Sequence, residues 1–423
     1  MNFDTICVQG AHNLFENKNT PTVPVYLTTA FGFENVQKSA DLFDLKTEGD
    51  IYTRLSNPTT ATLEARLAAI EGGVGALAVS SGQSASLIAV LNIAKSGDEI
   101  VASANMYGGT VNLLNVTLRK MGIKTNFVVS DDISDYETKI NDKTRCIFVE
   151  MLNNPSLKIA DIENIAKVAH KHKIPLIVDN TIPSPYLCQP IKWGADIVIH
   201  SLTKYICGHG TSMGGVIIDS GKFDWAESGK FPELTEPDES YHGVKYVESF
   251  GKSAYIVKAR AQLIRDIGSC ISPMNSFLII QGLETLSLRM ERLSKTALKV
   301  AEFLCNHPNV EWVNYPMLDG NKYNKLAKKY MPKGASSIVS FGIKNGKNAG
   351  VRFIEELKLL IHATNIGDSR TIITYPAITT HRQLTEEQMN DCGIGMNFMR
   401  LSVGLEDVED IIEDLDNALK KSN

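Results

Sequence analysis

Apolar residues along most of the chain fall into short runs, which alternate with stretches of helical spacing. Between residues 60 and 70, Leu63, Leu67 and Ile70 recur at helical spacing, and Gly72 then predicts the end of that helix. Apolar runs of strand length lie at residues 76–80, 100–103, 146–150, 174–179, 196–200 and 216–219. Short apolar strands that alternate with helices predict an α/β fold with a mainly parallel sheet covered on both faces.

The pattern changes twice along the chain, which predicts three parts. Residues 1–58 contain three prolines and little sustained periodicity, so we interpret them as an arm that lies over something else, such as another subunit. Residues 59–255 contain the predicted parallel sheet and form the large domain. Residues 256–423 combine long helical patterns with strand candidates at 336–343 and 398–403, which indicates a smaller α+β domain.

Composition excludes several classes of protein. The 423 residues carry a net charge of −5, and no basic face is implied, so a nucleic acid is not expected as a partner. The apolar runs are too short to cross a membrane, and the N-terminus lacks the pattern of a signal peptide. Seven scattered cysteines without a CxxC pair predict reduced thiols in a cytoplasmic protein, and no metal site.

Two successive strand candidates end in residues that can carry chemistry. The run at 174–179 ends in Asp179, and a buried carboxylate needs a cationic partner such as a protonated ring nitrogen. The run at 196–200 is followed by Ser201, Thr203 and Lys204. Because ligands of open α/β sheets bind at the carboxyl ends of strands, these side chains predict one site. Taken singly, an acid at a strand end is more often a turn or capping residue.

A further segment predicts an anion site. The strand candidate at 76–80 runs into SGQSA, which opens a helix with small residues. Backbone N–H groups and the positive end of the helix dipole would bind a phosphate there. An ordinary helix cap explains this segment equally well when it is taken alone.

The chain resembles the Cys/Met-metabolism family of fold-type-I enzymes that depend on pyridoxal 5'-phosphate (PLP), over essentially its full length. The motifs that carry the resemblance are IYTRLSNPTT, SSGQSAS, MYGGT, NNP, VDNT, HSLTKYICGHG, TEPDESYHGVKY, ISPMN, QGLETLSLRMER, NIGDSRTIITYPAITTH and MRLSVGLED. The resemblance implies the fold-type-I architecture, in which a mainly parallel sheet of the seven-stranded type is followed by a smaller α+β domain.

The resemblance also implies how PLP would be held. Lys204 would bond covalently to the cofactor aldehyde and transfer protons, and Asp179 would pair with the ring nitrogen. Four residues would bind the phosphate: Gly82, Gln83, Ser201 and Thr203. Tyr107 would stack on the ring and assist proton transfer, Thr181 would pack on the opposite face, and Asn154 would contact the ring hydroxyl.

Other matched positions imply a substrate site and an oligomer. Arg400 would bind the substrate α-carboxylate as a bidentate pair, and Thr371 would contribute backbone and hydroxyl contacts near it. Tyr52 and Arg54 would reach the cofactor phosphate of a neighbouring subunit, where Tyr52 would also contact the substrate. Active sites shared in this way imply a homo-oligomer, and the family suggests a tetramer.

Two features favour a replacement reaction over an elimination. Methionine γ-lyases of the family usually carry a cysteine at the position of Gly109, and the stretch 221–252 resembles an insertion found in the family's sulfhydrylases. The expected reaction displaces acetate from O-acetyl-L-homoserine with sulfide or a thiol and gives L-homocysteine for methionine biosynthesis.

Three alternatives stay open at this point. Elimination of the methionine γ-lyase type, or cystathionine synthesis, would share the early steps. An NAD-dependent oxidoreductase lacks support because the GGVG segment precedes a strand, whereas the dinucleotide fingerprint follows one. A protein that binds PLP without catalysis is disfavoured by the presence of Lys204, Tyr107 and Arg400.

Overall fold

Seven strands form the larger sheet of the computed structural model, which describes residues 1–379, 382 and 394–422. The strands are β1 (Gly75–Val79), β2 (Glu99–Ser103), β3 (Lys124–Val128), β4 (Thr144–Glu150), β5 (Leu176–Asp179), β6 (Ile197–Ser201) and β7 (Gly215–Asp219). Their order is β1-β7-β6-β5-β4-β2-β3. Strand β7 runs antiparallel to β1 and β6, and the remaining pairs are parallel, which confirms the predicted mainly parallel sheet.

Six of these strands overlap the apolar runs of the sequence, and the exception is β3. Its sequence KTNFV mixes polar with apolar residues because β3 lies at the edge of the sheet and is only partly buried. The inner strands are buried on both faces. In β4, Ile147 and Val149 belong to one apolar core, while Cys146 and Phe148 belong to the other.

Helices cover both faces of the larger sheet. The helix Pro58–Glu71 begins with proline, is capped by the Asn57 side chain and ends at Gly72, whose φ of 81° suits glycine. The other α-helices that the structure describes are Phe3–Gln9, Val36–Phe43, Gly82–Leu91, Gly108–Asn112, Leu118–Lys120, Ile133–Thr138, Ile162–Lys171, Ser184–Leu187, Trp225–Ser228, Pro232–Thr235, Tyr246–Phe250, Ala254–Lys258, Arg265–Ile267, Pro273–Glu284, Leu286–Cys305, Asn324–Tyr330, Gly346–Glu356 and Val408–Lys421. Two π-helical stretches, Leu113–Thr117 and Ala259–Ile264, continue α-helices.

A second sheet of five strands lies in the C-terminal part of the chain. Its strands are β8 (Val310–Asn314), β9 (Ile338–Ile343), β10 (Ile361–His362), β11 (Ile372–Thr374) and β12 (Phe398–Ser402), in the order β10-β11-β12-β9-β8. The sequence pattern predicts β9 and β12 but not the other three. The division of the chain after residues 58 and 255 stays a prediction. The helix Ala254–Lys258, which spans the second boundary, packs in a core of the larger sheet.

The N-terminal arm is attached to the rest of the chain at more than one place, including Thr59, whose hydroxyl donates to the carbonyl of Pro24 at 2.7 Å. Buried Arg66 donates to the backbone carbonyls of Gly10 and Cys7, at 2.7 and 2.9 Å, and so holds the first helix. Farther along the arm, the large apolar side chains of Phe15, Leu27 and Val36 are exposed. None of the described helices is long and apolar enough to span a membrane.

Candidate active site

A cavity of about 240 Å³ opens at the carboxyl ends of β4, β5 and β6. Ligands of open α/β sheets bind at this edge. Ten of the thirteen predicted site residues line the cavity: Gly82, Gln83, Tyr107, Asn154, Asp179, Thr181, Ser201, Thr203, Lys204 and Arg400. Tyr52, Arg54 and Thr371 do not line it.

One end of the cavity can hold an anion. The helix Gly82–Leu91 begins there, and a Cβ at Gly82 would lie 2.7 Å from the Cβ of Ser201, so only glycine allows this close approach. The N–H groups of the first helical turn have no acceptor within the helix. Together with the hydroxyls of Ser201 and Thr203, the N–H groups of Gly82 and Gln83 fit a phosphate.

Asp179, at the end of β5, is suited to a cationic partner. Its Oδ1 accepts hydrogen bonds from the backbone N–H of Thr181 at 2.9 Å and from the Thr181 hydroxyl. Burial raises the pKa of the Asp179 carboxyl, while the bonds from Thr181 and the charge of His200 act in the opposite direction. A protonated ring nitrogen beside this carboxylate would stabilise its ionised form.

Lys204 follows β6 and lines the cavity. Its Nζ donates a hydrogen bond to Oδ1 of Asn365 at 2.8 Å. Burial lowers the pKa of the amine, and the positive charge of Arg400 lowers it further. A lowered pKa increases the fraction of the amine that is neutral near neutral pH, and only the neutral amine can attack an aldehyde or accept a proton.

Arg400 reaches the cavity from β12 of the second sheet. Its guanidinium donates to Oδ1 of Asn154 at 3.3 Å, to the carbonyl of Asn365 at 3.0 Å and to the Thr374 hydroxyl at 2.8 Å. These acceptors are neutral, the buried Nε has no partner, and burial lowers the pKa of Arg400 to about 10. Among the described residues no carboxylate forms an ion pair with it, so it is free to bind one from a substrate.

Tyr107 stands at the mouth of the cavity, just before the helix Gly108–Asn112. A Cβ at Gly109 would lie 2.5 Å from Cε1 of Tyr107 and 3.2 Å from Nε2 of Gln83. The absence of a side chain at Gly109 therefore determines where the Tyr107 ring can lie.

Thr371 does not line the cavity, and its polar groups already have partners. Its backbone N–H and hydroxyl each donate to the Glu406 carboxylate at 2.7 Å, and its hydroxyl accepts from the backbone N–H of Gly404. These groups hold the chain beside β12, and the predicted contact of Thr371 with a substrate carboxylate stays a prediction. Asn365 and Ile366 of the same motif line the cavity.

Tyr52 and Arg54 lie away from the cavity of their own chain. The Arg54 guanidinium carbon lies 5.4 Å from the centre of the Tyr52 ring, and the Tyr52 side chain is exposed. Their predicted contact with a neighbouring subunit stays a prediction.

Three further residues of the site were not predicted. Glu150 ends β4 and lines the cavity, and the same signal that points to Asp179, an acid at the end of an apolar run, points to it. Asn365 and Thr374 contact Lys204 or Arg400. No local sequence signal marks these two, because their role depends on how the second sheet packs against the first.

The arrangement fits PLP group by group. Lys204 can react with the aldehyde, Asp179 can pair with the ring nitrogen, and the turn at Gly82 with Ser201 and Thr203 can hold the phosphate. Arg400 remains available for the carboxylate of an amino-acid substrate.

Comparisons with known proteins agree with this fit. A profile described as Cys/Met metabolism PLP-dependent enzyme matches residues 4–420. The O-acetyl-L-homoserine sulfhydrylase of Leptospira meyeri is 51% identical over 99% of this chain and 96% of its own length. The homocysteine/cysteine synthase of Saccharomyces cerevisiae is 43% identical over 99% of this chain and 97% of its own length.

Solved structures agree as well. A crystal structure from Campylobacter jejuni, described as an O-acetylhomoserine (thiol)-lyase, superposes with a TM-score of 0.96 at 41% identity. The match covers 99% of this chain and all of that one, and that protein carries a pyridoxyl-lysine phosphate.

Proposed function

Because the chain belongs to the Cys/Met-metabolism family of PLP-dependent enzymes, we propose that it displaces acetate from O-acetyl-L-homoserine with sulfide and forms L-homocysteine. The observation that carries the proposal is that one cavity contains both the Lys204 amine and the Arg400 guanidinium, linked through Asn365. A substrate whose carboxylate binds Arg400 would present its α-carbon to Lys204. The proposed product would supply methionine biosynthesis.

PLP, when bound, supplies an electron sink that stabilises negative charge on the substrate carbon next to the amino group. The protein's own part is to move protons and to orient the substrate. The lowered pKa of Lys204 favours the neutral amine, which can take the α-proton at Nζ and then transfer protons during loss of acetate.

Orientation is the task of Arg400. Its hydrogen bonds to Asn154, Asn365 and Thr374 hold the guanidinium in place before a substrate arrives. A guanidinium that is already oriented loses little side-chain entropy on binding a carboxylate, and burial strengthens the pair.

The test is to supply the purified, PLP-loaded enzyme with O-acetyl-L-homoserine in the presence and absence of sulfide. We expect homocysteine to form in proportion to acetate when sulfide is present, and 2-oxobutanoate to be a minor product. If 2-oxobutanoate dominates even in saturating sulfide, the enzyme is a γ-lyase and the proposal is wrong. Cysteine as the nucleophile tests the cystathionine alternative in the same assay.

The proposed enzyme also works as a homo-oligomer with shared active sites, of which a tetramer is the expected form. Support comes from Tyr52 and Arg54, which lie outside their own cavity, and from the exposed apolar side chains of Phe15, Leu27 and Val36 in the same arm. A subunit that covers this arm would bury that apolar surface. We place the enzyme in the cytoplasm, consistent with six cysteines that the structure shows as free thiols.

Subunit mixing tests the shared site. Lys204→Ala and Arg54→Ala are each expected to be inactive, but unfolded together and refolded as a mixture they should recover activity. The reason is that a hybrid contains one site with an intact lysine and an intact arginine from its neighbour. The matched control mixes Lys204→Ala with Arg400→Ala, whose residues line the same cavity, and should recover nothing. Equal recovery in both mixtures, or in neither, would contradict the shared site.

A further inference from the structure

Glu150 is a buried acid that the proposed reaction does not use. It ends β4, which lies between β5 and β2 in the larger sheet, and its side chain lines the cavity. The strand register pairs Glu150 with Asp179. Paired residues on adjacent strands face the same side, roughly 4.8 Å apart, so two carboxyl groups share one buried wall of the cavity.

The Glu150 carboxyl also lies beside two backbone segments. Its Oε1 accepts a hydrogen bond from the backbone N–H of Tyr107 at 2.6 Å. The backbone N–H of Asn154 lies close enough to the same carboxyl group to lower its pKa. Tyr107 follows β2, and Asn154 follows β4 itself. One side chain therefore holds the loop that carries the predicted contact to the ring face, and it lies beside the loop that carries the predicted contact to the ring hydroxyl.

The electrostatic environment favours different protonation states for Glu150 and Asp179. Burial raises the pKa of Glu150 well above its usual range, and the negative charge of Asp179 raises it further. Two adjacent buried carboxylates are not both ionised at low cost, so one of them keeps a proton. A neutral Glu150 still accepts N–H bonds through its carbonyl oxygen and leaves the charge on Asp179, where the ring nitrogen needs it.

We propose that Glu150 is a positioning residue, which fixes Tyr107 and Asn154 around the cofactor ring while Asp179 carries the charge. The inference rests on the proposed function in one respect, namely that PLP occupies the cavity. It goes beyond that function because Glu150 orients the groups that contact the cofactor and takes no part in the reaction itself.

The experiment measures PLP binding to the cofactor-free enzyme and the visible circular dichroism of the bound cofactor, neither of which requires turnover. In Glu150→Ala the backbone N–H of Tyr107 loses its acceptor and the N–H of Asn154 loses the nearby carboxyl, so we expect the Kd for PLP to rise about tenfold or more and the dichroism to weaken. Glu150→Asp keeps the acid but shortens its reach, so it should show the same loss. It provides the test if the alanine variant does not fold. Glu150→Gln keeps a neutral acceptor and should bind PLP nearly as wild type does.

Asp414→Ala is the matched control. Asp414 is also buried and accepts the backbone N–H groups of Lys358, Leu359 and Leu360, but it lies in the C-terminal part of the chain and does not line the cavity. We expect it to reduce stability without changing PLP affinity or dichroism. Wild-type affinity and dichroism in both Glu150→Ala and Glu150→Asp would overturn the proposal, and equal losses in Glu150→Gln and Glu150→Ala would overturn its neutral state. A wild-type chain that does not bind PLP would instead refute the proposed function.

Discussion

The two walls of the cavity are built in different ways. On the larger sheet, Asp179 and Lys204 lie at or just beyond the ends of neighbouring parallel strands, β5 and β6. On the second sheet, Arg400 lies in the middle of β12, and Asn365 lies in the loop between β10 and β11. The first wall fits the cofactor and the second wall fits the substrate. This difference indicates that the side chains of the first wall are brought together by neighbouring strands of one sheet, whereas those of the second wall reach the cavity only because the two sheets pack together.

This comparison implies that damage to the two walls should affect different measurements. A change on the first wall should alter cofactor binding or proton transfer. A change on the second wall should leave the cofactor in place and weaken substrate binding. Three predictions test the separation.

The largest effect is expected for Lys204→Ala. Without the amine, no group of this wall can bond to the aldehyde or move the α-proton, so we expect kcat to fall by roughly 10³-fold or more. The measurements are the rate of homocysteine formation and the visible absorption of the protein with and without borohydride. In wild type, borohydride should abolish the visible band of the lysine-bound cofactor. A variant that keeps this band would contradict the assignment of Lys204.

The contrast between the walls also explains which strands and site residues could be predicted from the sequence. The strands ending at Asp179 and preceding Lys204 are buried apolar runs, so these strands and the position of the site could be predicted from local patterns. The same signal is present at Glu150, which also ends a buried apolar strand. The edge strand β3 and the short strand β10 lack such runs, since neither is buried between two layers of helices.

The second wall could be identified only through resemblance to a family, which pointed to Arg400 and Thr371. Arg400 lines the cavity but Thr371 does not, and the motif that contains Thr371 contributes Asn365 and Ile366. A short strand, β11, begins at Ile372, and its pairing with β12 turns Thr371 toward Glu406. Neither the pairing nor the contact is visible in the local sequence.

The next largest effect is expected for Arg400→Ala. Loss of two charge-assisted hydrogen bonds to the substrate carboxylate should raise KM for O-acetyl-L-homoserine by about 10²-fold. The affinity for PLP should remain close to wild type, because Arg400 belongs to the other wall. Arg400→Lys is the conservative variant and should restore little, since lysine does not form the planar bidentate pair. A comparable loss of PLP affinity would show that the two walls are not separable.

The smallest effects come from two residues of one segment, and they sharpen the comparison because they are only six positions apart. Asn365→Ala removes the acceptor of Lys204 Nζ and should lower kcat/KM about tenfold, with little change in the free energy of unfolding.

Thr371→Val keeps the shape of the side chain but removes a buried hydroxyl that donates to Glu406. It should lower the free energy of unfolding by about 1–3 kcal/mol while KM stays near the wild-type value. Steady-state kinetics and urea unfolding of both variants decide the matter. The opposite pattern is a raised KM in Thr371→Val and unchanged kinetics in Asn365→Ala. It would show that the Thr371 hydroxyl contacts the substrate, and the hydroxyl would then have to leave Glu406 when the substrate binds.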